Sequence, residues 1–308
     1  MMTQRARLVV GSLAVLFSVM ILDSITWGQS PKEDYETLKQ FYRHRAKEIG
    51  FALDPNGKQR LKLESPVLTW TGLDYQGYRN TEAPNSGDVY VWTYQGRAIV
   101  AGGVLSLPLP NGHEVYQEFQ ALVETPPQPI SSRSDWGVMW SPPGVELRAI
   151  PGAPNPVADS DTNALRKRGL QMRGLAKQFT AQTRSAKTGE IHPLKLLPNA
   201  VFRLDSDALK KSDSDVIDGA LFIFTNQLGT DPELTLLIEC HQTSDGLRWK
   251  FAPGSLAFQE LWLKHRDREV WHLPNFLNHP GERNFVSTRL HQGITTDQMK
   301  EILDHDPE

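Results

Sequence analysis

The sequence predicts a β-rich α+β fold, built of antiparallel sheet with one central basic helix and a short N-terminal helix. Three observations point there. Clustered punctuation, 21 prolines and 23 glycines in 308 residues, favours many turns between short elements. Strand-like apolar runs fill Leu61 to Val123 and recur from Leu194 to Leu273. Between them lies a basic segment with helical spacing. With 39% hydrophobic and 22% charged residues, the composition is that of a globular chain, long enough for one large domain or two small ones.

The opening residues, "MMTQRARLVVGSLAVLFSVMILDSITWGQSP", read as a secretory signal peptide over 1–28. Arg5 and Arg7 precede an apolar run from Leu8 to Leu22 that Asp23 ends. The run falls short of the ~20 residues that span a bilayer comfortably, so the membrane is expected to be involved only through an uncleaved signal anchor. Thr26 and Gly28 supply small residues for cleavage, with Ser24 as the alternative. The mature chain is therefore expected in the periplasm or outside the cell. It keeps 31 Lys plus Arg against 35 Asp plus Glu, a balance that argues against nucleic acid as a partner. Cys240, the only cysteine, allows no internal disulfide; it ends an apolar run and reads as a small buried hydrophobe.

Residues 29–56 carry the N-terminal amphipathic helix. "PKEDYETLKQFYRHRAKEIG" sets Tyr35, Leu38, Tyr42, Ala46 and Ile49 at helical spacing, with acids early, bases late and Gly50 as the stop. The β-rich region is expected over 57–308, with a sub-boundary at 125–160 where proline dominates. Its first half, "RLKLESPVLTW", "GDVYVWTY", "RAIVAGGVLSL" and "HEVYQEFQALV", reads as an antiparallel meander turned by "YQGR" and "LPNGH". Gly102 and Gly103 inside a strand suggest a bulge.

"DSDTNALRKRGLQMRGLAKQFTAQTR" predicts the longest helix, capped by Asp161 or Thr162, with Leu165, Met172, Leu175, Ala176 and Phe179 on one face. A second antiparallel set follows: "LKLLPNAVFRL", "VIDGALFIFT", "ELTLLIEC", "LRWKFA", "LAFQELWLK" and "REVWHL". Within it "NQLGTDPE" is a turn in which Gly229 supplies positive φ, Pro232 holds φ at about −65° and Asp231 bonds backbone NH groups. The nearly continuous apolar runs on either side are those of strands covered on both faces.

Several segments together resemble a group of uncharacterised exported proteins from planctomycete-type bacteria: "GDVYVWTYQGR", "YQEFQAL", "QMRGLAKQF", "LKLLPNAVFRL" and "IDGALFIFTNQLGTDPELTLLIE", with Trp249 after them. The chain differs from the group's pattern at Asn199, Ala200 and Phe202, where Gln-Pro and Tyr are usual. The resemblance implies export and a shared fold, and carries no activity.

The nucleophile elbow, the zinc-protease and paired-cysteine motifs, the phosphate loop and the dinucleotide fingerprint are all missing from the sequence, so no cofactor is expected. "HEVYQEF" places His113, Glu114 and Glu118 on a strand with the glutamates ~13 Å apart, which suits a solvated face better than a metal. His265, His272 and His279 recur across broken structure, and no metal site is expected there. Arg166, Lys167, Arg168 and Arg173 on the basic helix are anion-docking candidates. The competing reading pairs them with the acidic stretch "LDSDALKKSDSDVID". Strand alternation sets Tyr90, Trp92 and Tyr94 on one face, as a stacking platform if exposed and core if covered.

The leading expectation is an exported, non-catalytic protein that binds an envelope polymer or protein. The alternative is a hydrolase with Asp218 and Glu239 as acid and base. Pairing Phe224 near Leu234 brings Asp218 beside Glu239 and Cys240, and a one-residue slip decides whether the carboxylates share a face.

Overall fold

The computed structural model describes residues 31–72, 84–125, 127–131, 144–158, 163–185, 188–227, 229–274 and 285–305. The signal segment, Trp136, Trp140, Asp161, Thr162 and His279 lie outside them. The first half forms α1 (Pro31–Lys47), β1 (Ile49–Ala52), β2 (Lys62–Leu63), β3 (Leu68–Gly72), β4 (Asn85–Tyr94), β5 (Arg97–Leu109), β6 (Gly112–Ala121), β7 (Gln128–Ser131) and β8 (Arg148–Ala149). The second opens with α2 (Ala164–Ala176), β9 (Phe179–Arg184), β10 (Ile191–Leu196), β11 (Phe202–Arg203) and α3 (Ser206–Leu209). It continues through β12 (Val216–Thr225), β13 (Pro232–Thr243), β14 (Gly246–Ser255), β15 (Glu260–His265), β16 (Arg268–Leu273), β17 (Phe285–Ile294) and α4 (Thr296–His305). The fold is β-rich α+β.

The two meanders build separate sheets. One runs β17-β6-β5-β4-β2, with β3 also on β4; the other runs β16-β15-β9-β10-β12-β13-β14-β8, with β11 also on β12. The two halves share an order of elements. In each, a helix precedes two short strands that both pair with the first strand of a three-stranded antiparallel meander.

Strand alternation decides what each face meets. In the first sheet Val91, Ala101 and Leu122 face Leu221, Leu237 and Ala252 of the second. The opposite face presents Tyr90, Trp92, Val104 and Phe119 to Leu38, Phe41, Tyr42 and Ala46 of α1 and Met299 of α4. The outer face of the second sheet presents Phe222, Phe224, Leu236, Ile238 and Cys240 to Met172, Leu175 and Ala176 of α2 and to Leu261 and Leu263 of β15. Strands β12 and β13 are thus buried on both sides, which is why alternation disappears from their sequence. Each large apolar side chain fully buried in these layers contributes about 1.5–3 kcal/mol.

Local chemistry sets the turns. Gln95 and Gly96 take φ of 48° and 82°, a two-residue reversal that matches strand twist between Tyr94 and Arg97. Gly102 and Gly103 sit in regular register opposite Tyr90 and Val89, and the irregularity falls instead between Trp92 and Thr93. Gly102 is needed for close approach, because a Cβ there would run into the Glu118 carbonyl and the Phe119 ring. Gly229 likewise has no positive φ. A Cβ there would stand 2.7 Å from the Thr71 carbonyl, so this glycine lets the β12–β13 loop lie on β3. Thr230 seals that contact, its N–H donating to the Thr71 carbonyl at 3.0 Å.

The basic helix is shorter than its periodicity suggested. It ends at Ala176, α1 is longer, and "FTAQTR" is strand β9. Its buried stripe is Ala164, Arg168, Met172, Leu175 and Ala176, whereas Leu165 is 42% exposed. A charged residue occupies the second position of that stripe, which a hydrophobic template cannot anticipate.

Candidate functional site

Phe224 pairs with Leu234 as expected, and the unbroken register from there sets Gly219 opposite Glu239 and Asp218 opposite Cys240, with an irregularity only beyond Asp218, before Val216. Asp218 and Glu239 therefore point to opposite faces of one sheet. Each is fully buried. The acid–base pair is not assembled.

Asp218 lies under α2. Arg168 donates to it through Nε at 2.9 Å, Arg203 through Nε at 2.9 Å and Nη2 at 2.6 Å, and the Gly219 N–H at 2.8 Å. Gly169 of α2 gives up helix propensity and makes room for the Arg203 guanidinium, which a Cβ would approach to 2.6 Å. Arg168 is thereby withdrawn from any role in docking anions, since its side chain is buried against Asp218. The acidic stretch does engage the helix, through one aspartate. Asp205 instead caps α3, accepting from the N–H groups of Asp207 and Ala208.

Glu239 points between the sheets, where Arg97 donates to both carboxylate oxygens at 2.9 Å. His241 sits with Nε2 2.9 Å from Glu239 and Nδ1 2.9 Å from Asp215, bridging the buried carboxylate to an exposed one. Burial by itself raises the Glu239 carboxyl, but the His241 bond and the Arg97 charge outweigh it and hold the group below its ordinary value. Its contribution to stability is then present above the unfolded value and lost as pH falls through the folded one.

The glutamates of "HEVYQEF" do not form a solvated face. Glu114 and Glu118 face the second sheet and are buried; Glu114 pairs with Arg289 at 3.3 Å, and Glu118 accepts from the Ser287 hydroxyl at 3.3 Å. Burial pushes the Glu118 carboxyl up to about 8, with Ser287 opposing and the neighbouring Glu233 charge adding. Neither Arg97 nor the proximity of Glu118 to Glu233 is legible in the sequence, because each depends on the stacking of the two sheets, and the His241–Asp215 bridge depends on the pairing of β12 with β13.

Tyr90 and Trp92 are each 1% exposed, and Phe51, Trp92 and Phe119 meet edge to face with centroids 5.2–5.5 Å apart. Tyr94 is half-buried against the same core. The row is core, covered by α1, and offers no platform. Trp262 is half-buried, stacked on His272 at 5.2 Å with Arg184 over its ring. His265 is buried against Phe179. Among the described residues no group of three His, Cys, Asp or Glu side chains converges as metal ligands.

The second sheet leaves an open groove beside α2. Its volume is about 420 Å³, with Phe179, Leu194, Leu196, Phe222 and Phe224 as apolar lining and Arg173, Lys177 and Thr180 at the rim. The groove follows from the unequal cover of the two sheets. Two helices, α1 and α4, pack on the outer face of the first. Among the described residues the second is covered mainly by the 13-residue α2 and the curl of β9 and β15, which do not close over β10. Comparison with protein-family models, characterised proteins and solved structures finds no match to this chain.

Proposed function

We propose that the protein is an exported, non-catalytic binding protein that takes a small apolar-bodied ligand in the groove beside α2. The observation that carries this is the groove itself. Its volume, about 420 Å³, falls in the roughly 300–1,000 Å³ range of small-molecule sites, and its lining is predominantly aliphatic and aromatic. A small ligand replaces the polymer or protein partner expected from sequence, because the aromatic row proposed to bind such a partner is buried. The two carboxylates named for hydrolysis serve instead as internal counter-ions to arginines. Membership of the planctomycete-type exported group remains part of the proposal. Among the described residues no helix is long and apolar enough to cross a membrane.

Binding is testable with a neutral fluorescent probe, N-phenyl-1-naphthylamine. Its emission is expected to rise and saturate with the wild-type protein, and Thr180→Trp, which fills the groove from an exposed rim position, is expected to weaken binding about tenfold (about 1.4 kcal/mol) without lowering the melting temperature. Unaltered probe binding in Thr180→Trp would remove the groove as the site. Export is tested separately by intact mass on cell fractions, where the chain is expected to begin close to Gln29; a full-length mass held in the inner membrane would refute cleavage.

A further inference from the structure

Two cations stand at the rim of the groove. Arg173 and Lys177 are four residues apart on the last turns of α2 and its C-cap, so they rise from one side of the helix. Both are exposed. Nearby arginines are already committed: Arg168 and Arg203 to Asp218, and Arg184 to Glu260. Arg173 and Lys177 have no acidic partner among the described residues.

Cations near a helix C-terminus favour the macrodipole, and that alone would justify two basic residues at this end. It does not account for an open apolar hollow directly beside them. Over a floor of buried Phe222 and Phe224, the more accessible Leu196 of β10 and the Leu197 and Pro198 that follow it supply an apolar lining that gains from contact with a hydrocarbon chain. Uncompensated cations at its edge supply charge-assisted hydrogen bonds to an anion. The two features together select a molecule with both parts.

Resting on the groove as the binding site, we infer that the ligand is a single-chain amphiphile with an anionic head, of the long-chain carboxylate class. The chain lies along Leu196, Leu197 and Pro198, and the carboxylate is held by Arg173 and Lys177. The partner is recognised by charge at one end and burial along the rest.

The test uses the mature chain and displacement of the neutral naphthylamine probe by dodecanoate, dodecanol and dodecyltrimethylammonium. Dodecanoate is expected to displace the probe at about tenfold lower concentration than dodecanol, a difference of about 1.4 kcal/mol, and the cationic amphiphile to compete least. In the double variant Arg173→Gln, Lys177→Gln the preference for dodecanoate is expected to vanish while the probe itself still binds. Equal displacement by dodecanoate and dodecanol in the wild type would overturn the inference and leave the groove reading intact. A wild type that fails to bind the neutral probe would overturn the groove reading itself. Binding to anionic phospholipid vesicles that dodecanoate cannot compete would assign the cations to a membrane surface and also overturn the inference.

Discussion

Asp218→Ala is expected to cost about 3–5 kcal/mol of folding stability, the usual price of leaving a buried charge without its partner. The carboxylate it removes is the one that Arg168, on the buried stripe of α2, and Arg203, on β11, both address. Arg203 is 38% exposed and can turn to water, whereas Arg168 is fully buried and cannot. Most of the loss therefore falls on α2 and its seat over β12. The double change Arg168→Met, Asp218→Leu is expected to recover a large part of it, since an apolar pair of similar volume relieves the desolvation of both ions. Urea unfolding with an unchanged slope is the measurement. A midpoint for Asp218→Ala within about 1 kcal/mol of wild type would show that the clamp does not hold the helix.

The second large effect is in the pH profile. Glu118 is buried between the sheets close to Glu233, and its carboxyl is raised to about 8. The folded state then keeps a proton that the unfolded chain gives up near the ordinary glutamate value. Stability from this group is fully present below that unfolded value and is lost as pH rises through about 8. The size of the change is at most about 5 kcal/mol, the free energy of moving the carboxyl from its ordinary value to about 8. Glu118→Gln is a neutral isostere that still accepts from Ser287, so it is expected to flatten this slope and to be more stable than wild type at alkaline pH. Parallel stability curves for the two proteins from acid to alkaline pH would refute a protonated Glu118.

Local structure was legible wherever a few neighbouring residues decide it. "YQGR" fixes a tight reversal because Gly96 accepts positive φ at no steric cost, and it is found there. The apolar runs at Ala220–Phe224 and Leu234–Ile238 identified doubly covered strands that pair with each other, with Phe224 opposite Leu234. Glycine misled where its reason was proximity. Gly102, Gly103 and Gly229 read as a bulge and a positive φ, yet each answers to atoms from another strand. The basic helix misled in the same way: Arg168 looks like a docking charge until Asp218, fifty residues away, is brought beneath it.

Composition, periodicity and turn chemistry determined the fold class, the two meanders and most hairpins, because a period of two or of 3.6 residues is written into short windows of chain. Tertiary structure alone decided the sites. Arg97 meets Glu239 across 142 residues and Gln120 meets Thr235 across 115, contacts that exist only once one sheet is laid on the other. The opposite faces of Asp218 and Glu239 rest on the exact register of β12 against β13, which sets Asp218 opposite Cys240, since one residue of slip exchanges inside for outside. Whether Tyr90 and Trp92 were a platform depended on α1 covering them, and whether Arg173 and Lys177 edge a groove depended on how far a 13-residue helix reaches across its sheet. Burial and the pairing of charges belong to the packed whole, because desolvation is set by every element that approaches a group and not by the residues beside it in sequence.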